Sequence, residues 1–193
     1  ELSAIGGATT GTVTVSNAID ITGSTDQVTA ALVTAGTLVE VTDATVTLDD
    51  TPTIGELNAI AAKTTGVVTA TLAADSLANL GALNTASTDV ITITVNDNTG
   101  DTLTAANLST LGGKTAGTVT VSNAVVITGD HDQLTAALVT AGTKVVASTA
   151  LATVNDANGV AITAAELSAI GGATAGTVTV SNAVDITGDH DQL

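Results

Sequence analysis

Residues 107–121 read NLSTLGGKTAGTVTV, and two other stretches repeat them: ELSAIGGATTGTVTV at 1–15 and ELSAIGGATAGTVTV at 166–180. A weaker copy, ELNAIAAKTTGVVTA, covers 56–70. The first leucine of each copy is Leu2, Leu57, Leu108 or Leu167, so the intervals are 55, 51 and 59 residues. A second block follows: SNAIDITGSTDQVTAALVTAGT at 16–37, SNAVVITGDHDQLTAALVTAGT at 122–143, and a copy that starts at Ser181. Near-identity over blocks of this length marks internal repetition, in which one unit cannot bury its apolar face alone and neighbours shelter one another. Four blocks are read: 1–56, 57–107 (the most divergent), 108–166 and 167–193, with both ends expected to fall inside a unit of a longer protein.

Each unit mixes two periodicities. Thr118-Val119-Thr120-Val121 alternates as a strand does, with Val119 and Val121 expected inward and Thr118, Thr120 and Ser122 outward; Ala124 and Ile127 continue the apolar lining. Thr163-Ala-Ala-Glu166 and Thr53-Ile-Gly-Glu56 have the form of capping boxes, in which the threonine and glutamate each satisfy an orphan amide of the first helical turn. Gly171-Gly172 is expected to end one such helix in the left-handed region. A second short helix is expected from Asp130 to Thr140, with Leu134, Ala137, Leu138 and Ala141 on one face and Gly142 as its stop. Loops are expected around Thr51–Gly55, Asn96–Asp101 and Asn155–Gly159. The expected fold is a β-rich solenoid resembling a parallel β-helix, with a short α-helix on many coils; the alternative is a set of β-sandwich repeats.

Composition excludes several functions. The 193 residues carry 3 Lys plus Arg against 19 Asp plus Glu, a formal charge of −16, and contain no Cys, Met, Phe, Tyr or Trp. Disulfides and cysteine zinc sites are impossible. Nucleic acid would be repelled by the charge, and base stacking has no aromatic ring to use. Mean hydropathy is +0.48, yet Thr, Ser, Asn or Gly interrupts every apolar run before the length needed to span a bilayer. A membrane barrel would also want aromatic girdles. No signal peptide is visible.

Candidate chemistry is sparse. Gly113-Lys114-Thr115 resembles the tail of a phosphate loop, but Leu108 stands where that motif needs its first glycine. Asp130-His131-Asp132 and Asp189-His190-Asp191 occupy the same place in two units, where the first unit has Ser24-Thr25-Asp26. They read as helix-capping positions or as metal ligands. The oxygen-rich turns Asn96–Asp101 and Asn155–Gly159 loosely echo calcium loops. The candidate calcium ligands are therefore Asp97, Asp101, Asp130, Asp132, Asp156, Asp189 and Asp191. With neither a nucleophile motif nor a convincing acid–base pair, the chain is not expected to be an enzyme. The Thr-x-Thr pairs Thr12/Thr14, Thr118/Thr120 and Thr177/Thr179 could form outward ladders that bind ice or a glycan; threonine is also a good solvent-facing strand residue.

The pattern Leu-x-x-(Ile/Leu)…Thr-x-Gly-x-Val-Thr-Val at 2–15, 57–69, 108–121 and 167–180, with Ile21-Thr22-Gly23 and Ile127-Thr128-Gly129, resembles repeats of giant bacterial cell-surface and secreted proteins of the cyanobacterial type. The second unit departs from it, with Leu72-Ala-Ala-Asp75 where Ile-Thr-Gly would fall. The resemblance implies an extracellular structural or adhesive role, often with calcium. The expectation is a repeat segment forming a stiff spacer, filament or surface layer by self-association, or engaging a cell-surface glycan.

Overall fold

The computed structural model describes residues 1–34, 36, 38–189 and 191. In chain order the first part holds α1 (Leu2–Gly7), β1 (Val13–Val15), β2 (Asp20–Gly23), α2 (Thr25–Leu32), β3 (Val39–Val41), β4 (Thr45–Leu48), α3 (Ile54–Ala61) and β5 (Val68–Thr71). Then come α4 (Leu77–Leu80), β6 (Val90–Val95), β7 (Thr102–Thr104), α5 (Ala105–Gly112), β8 (Val119–Val121) and β9 (Val126–Gly129). The rest holds α6 (His131–Leu134) running into a π-helical turn (Thr135–Val139), β10 (Val145–Val146), β11 (Leu151–Val154), β12 (Ala161–Thr163), α7 (Ala164–Gly172), β13 (Val178–Val180) and β14 (Asp185–Thr187).

Two compact units result. One comprises Glu1–Ala73, Ala82–Ile93 and Lys114–Gly117; the other comprises Ala74–Gly81, Thr94–Gly113 and Thr118–Leu193. In the first, β1 pairs with β3, and β2, β4, β5 and the start of β6 pair in succession, all in parallel. In the second, β7, β9, β11 and β13 form a parallel sheet, β8 pairs with β10, and β12 with β14. Partners such as Ile21↔Val46 and Ile127↔Ala152 lie 25 residues apart, so one half-unit of sequence separates paired strands.

This is a mixed α/β fold with several parallel sheets and short helices between strands, which corrects the expectation of a β-solenoid and its β-sandwich alternative. Among the described residues no sheet closes, and every pairing is parallel. The physical reason lies in the division of each repeat. The β-branched runs are mostly three or four residues long, while capping boxes at Ser24/Gln27, Thr53/Glu56, Asp130/Gln133 and Thr163/Glu166 commit the intervening sequence to helix.

Helices and strands both supply the larger core side chains. In the first unit Leu57 and Ile60 of α3, with Leu83 and Ile91, are fully buried; in the second, Leu108, Leu111, Ile127, Leu134, Ile162 and Ile170 are. Each such side chain contributes about 1.5–3 kcal/mol. Val119 and Val121 point inward, Thr118 and Ser122 outward, and Thr120 is half-buried. Two local expectations need correction. Gly171 and Gly172 stay in α7, which ends at Ala173 in right-handed geometry. Ala141 is exposed, because the second helix widens into a π turn that stops at Val139; Ala124, in the link between β8 and β9, is half-buried, and the fully buried Val125 supplies the lining there.

Candidate functional site

The side chains that differ least in role from repeat to repeat are those tying one half-unit to the next. A helix N-terminus presents amides with no intrahelical partner and favours negative charge. At three places a carboxylate about one half-unit further along the chain takes the first of these amides. Asp50, after β4, accepts from the Thr25 N–H at 2.8 Å and from the Thr25 hydroxyl. Asp97, after β6, accepts from the Leu77 N–H at 2.7 Å. Asp156, after β11, accepts from the His131 N–H at 2.7 Å through Oδ2, while its Oδ1 lies 2.7 Å from His131 Nδ1. The helix thus receives two caps, one from its own Ser24, Ser76 or Asp130 and one from the next half-unit.

The turns carrying two of these aspartates are braced in turn. Asn123 Nδ2 donates to the Asn96 and Asp97 carbonyls, the latter at 2.8 Å, and Asn182 Nδ2 donates to those of Asn155 and Asp156, the latter at 2.7 Å. Ser122 and Ser181 hydroxyls donate to Val95 and Val154 carbonyls. Gly100 and Gly159 have φ of 87° and 79°, which explains the glycine at the same place in both turns.

A third tie explains the Thr-x-Gly element. The hydroxyls of Thr64, Thr115 and Thr174 donate to the carbonyls of Ala44, Ile91 and Ala150 respectively. The same oxygens accept from the amides of Gly66, Gly117 and Gly176. A Cβ on those glycines would stand 2.3, 2.3 and 2.1 Å from the same three carbonyl oxygens, so the approach is open to glycine alone. Buried Asp89 adds a cluster of its own, accepting from Val68 N–H and Ala86 N–H, both at 2.8 Å.

The electrostatics follow from this bonding. The hydrogen bond to Asp156 holds the His131 imidazole above its ordinary value of 6.5; burial opposes this, and Asp156, Asp132 and Glu166 add attraction. Hydrogen bonds from Thr25 lower Asp50, and those from the backbone and hydroxyl of Thr53 and Thr163 lower Glu56 and Glu166.

Of the sequence-derived candidates, the fold brings Asp156 and Asp132 to His131, with Asp132 Oδ1 3.5 Å from Nε2. Asp130 caps Gln133, Asp101 accepts from Asn98 at 2.8 Å, and Asp189 accepts from Asp191 N–H. His190 lies outside the described residues. Among the described residues no group of three or more His, Cys, Asp or Glu is arranged to hold a metal. Lys114 directs its ammonium to the Leu83 carbonyl. Sequence reasoning missed the roles of Asp50, Asp89, Asn123, Asn182 and the Thr-x-Gly threonines. The available signal was the recurrence of Asp two residues beyond β4, β6 and β11. Comparison with protein-family models, curated proteins and solved structures finds no match. No helix among the described residues is long and apolar enough to cross a membrane.

Proposed function

We propose that the chain is a structural repeat segment of a long extracellular protein, a spacer or scaffold whose units join by the same bonds each time. The observation behind this reading is the aspartate tie. It is made to a threonine, a leucine and a histidine residue in turn, so what persists is the link between half-units and not the chemistry of the linked side chain. The charge of −16 keeps such segments soluble and mutually repelling until a partner surface is engaged. Immunogold labelling of intact source cells with an antibody against this chain tests the reading. Label outside the cell envelope is expected, and label confined to the cytoplasm overturns it.

One observation favours a second reading, a binding face. Thr104, Thr128, Thr153 and Thr179 stand in one register across four neighbouring parallel strands, a row suited to an ordered array of hydroxyls such as ice or a glycan. The next row along carries Val126 and Leu151, which breaks the Thr-x-Thr array. Thermal hysteresis or glycan capture that disappears in Thr104→Val/Thr179→Val would replace the scaffold reading; ordinary freezing with no capture removes the alternative.

A further inference from the structure

Asn158-Gly159 is the single Asn-Gly step in the sequence. At such a step the glycine has no Cβ to shield its amide, so that nitrogen can attack the carboxamide carbon of the asparagine before it. The pair sits in the turn between β11 and β12, and both residues are exposed. The counterpart turn between β6 and β7 reads Asn98-Thr99-Gly100, where a branched threonine follows the asparagine. The two turns share a frame. Gly100 N–H donates to Ala124 O at 2.9 Å, Gly159 N–H donates to Ala183 O at 2.8 Å, and both glycines have positive φ.

They are pinned differently. In the earlier turn Asp101 closes the loop from within, accepting from Asn98 N–H at 2.8 Å and from Asn98 Nδ2 at 3.2 Å. Val160 stands at that place in the later turn and offers no carboxylate. There the bond comes from the next half-unit: Asn158 Oδ1 accepts from Ala183 N–H at 3.1 Å. Ala183 therefore grips both reacting groups. The Gly159 nitrogen cannot lose its proton and turn on Asn158 Cγ while that proton is bonded to a carbonyl oxygen, and the carboxamide is drawn toward Ala183. Asn182 anchors the grip, since its Nδ2 donates to Asp156 O at 2.7 Å and to Asn155 O at 3.4 Å.

We propose that Asn158 is a self-modification site, a deamidation site held closed while residues 181–185 are docked on its turn and reactive when they leave. The Gly159 amide, deprotonated by hydroxide, attacks Asn158 Cγ. An N–C bond forms, the bond from Cγ to the carboxamide nitrogen breaks, and ammonia leaves behind a five-membered succinimide. Water then opens the ring at either carbonyl and gives aspartate or isoaspartate; nothing is oxidised or reduced. Aspartate at 158 keeps an oxygen for the Ala183 N–H. Isoaspartate adds a methylene to the main chain just before Gly159, which takes Gly159 off Ala183 O and β12 off its register with β14, where Ala161 faces Asp185. One product lets the segment return, and the other marks the opening permanently. The inference stands on this geometry and is independent of the scaffold reading.

The test incubates the full chain at mildly alkaline pH beside a peptide of Asn155–Thr163, which lacks Ala183. Chromatography with mass spectrometry separates asparagine, aspartate and isoaspartate at position 158. The folded chain is expected to react about tenfold or more slowly than the peptide, because two hydrogen bonds have to open first. Asn182→Ala removes an exposed side chain and two bonds to the turn; it should speed the reaction severalfold with circular dichroism unchanged. Asn158→Thr, which copies the earlier turn, should abolish the product. Amide exchange at Gly159 is the second measure: across the variants and across low urea concentrations the deamidation rate should rise in proportion to it, as expected of a reaction gated by local opening. A folded-chain rate equal to or above that of the peptide overturns the proposal. So does product appearing first at another asparagine, or a deamidation rate that does not follow Gly159 exchange.

Discussion

Gly117→Ala tests one of the three close approaches of a carbonyl to a Thr-x-Gly glycine. The new methyl would lie 2.3 Å from Ile91 O, 2.7 Å from its carbonyl carbon and 3.0 Å from its nitrogen, where ordinary contact begins near 3.4 Å. Ile91 has little freedom to retreat, because its amide and carbonyl both bond to the Thr115 hydroxyl, at 2.8 and 2.9 Å, and that oxygen also accepts from Gly117 N–H at 2.8 Å. Overpacking of a tight site costs about 1–3 kcal/mol, and each hydrogen bond broken by the retreat adds about 1 kcal/mol. The expected loss is therefore about 3–5 kcal/mol, a large share of the roughly 5–15 kcal/mol that stabilises a domain. Urea unfolding followed by far-UV circular dichroism reads this as a midpoint lowered by about 2 M, for a slope of about 2 kcal/mol per M. Gly55→Ala is the control: it sits in α3 with nothing within 4 Å of the added carbon and should gain about 0.5–1 kcal/mol. A Gly117→Ala midpoint equal to that of the unaltered chain would refute the reasoning that Thr-x-Gly exists to admit a neighbouring carbonyl.

Asp89→Ala strands the buried Val68 amide and releases that of exposed Ala86, and should cost about 1–3 kcal/mol by the same urea assay, the cost of one buried amide left unpaired. The His131–Asp156 pair makes stability depend on pH. Because His131 is raised in the folded chain, its contribution is complete below its ordinary value of 6.5 and disappears as pH climbs through the folded value. A proton NMR titration should place the His131 midpoint above 6.5 and return it toward that value in Asp156→Asn. His131→Thr copies the hydroxyl tie of Thr25 to Asp50 and should keep the helix cap while flattening the pH dependence of the urea midpoint above 6; a steep dependence that survives would remove the pair as its source. Thr163→Ala deletes the cap of α7 and should cost about 1 kcal/mol. Glu166 is lowered by that same threonine, so the cap's contribution is present above the ordinary glutamate value and is lost as pH falls through the folded one. In Thr163→Ala this acid-side loss should shrink.

The sequence by itself determined the local pieces. A hydroxyl three residues before Glu, ahead of a helix-forming run, satisfies the first orphan amides from within its own turn, and Thr-Val-Thr-Val presents two faces to any neighbour, so the boxes at Thr53 and Thr163 and the inward Val119 and Val121 were legible. The repetition was legible for the same reason, as identity of text. What only the tertiary structure decided was which surfaces meet. Asp156 and His131 are 25 residues apart and belong to what read as two separate candidate motifs; nothing local aims one at the other. The arrangement of strands into several open parallel sheets, against a single continuous coil, likewise depended on long-range pairing. Short strands and short helices are each too weak to choose an architecture, and it is the burial of Leu108, Ile127 and Ile162, together with the carbonyl-to-glycine approaches, that chooses it.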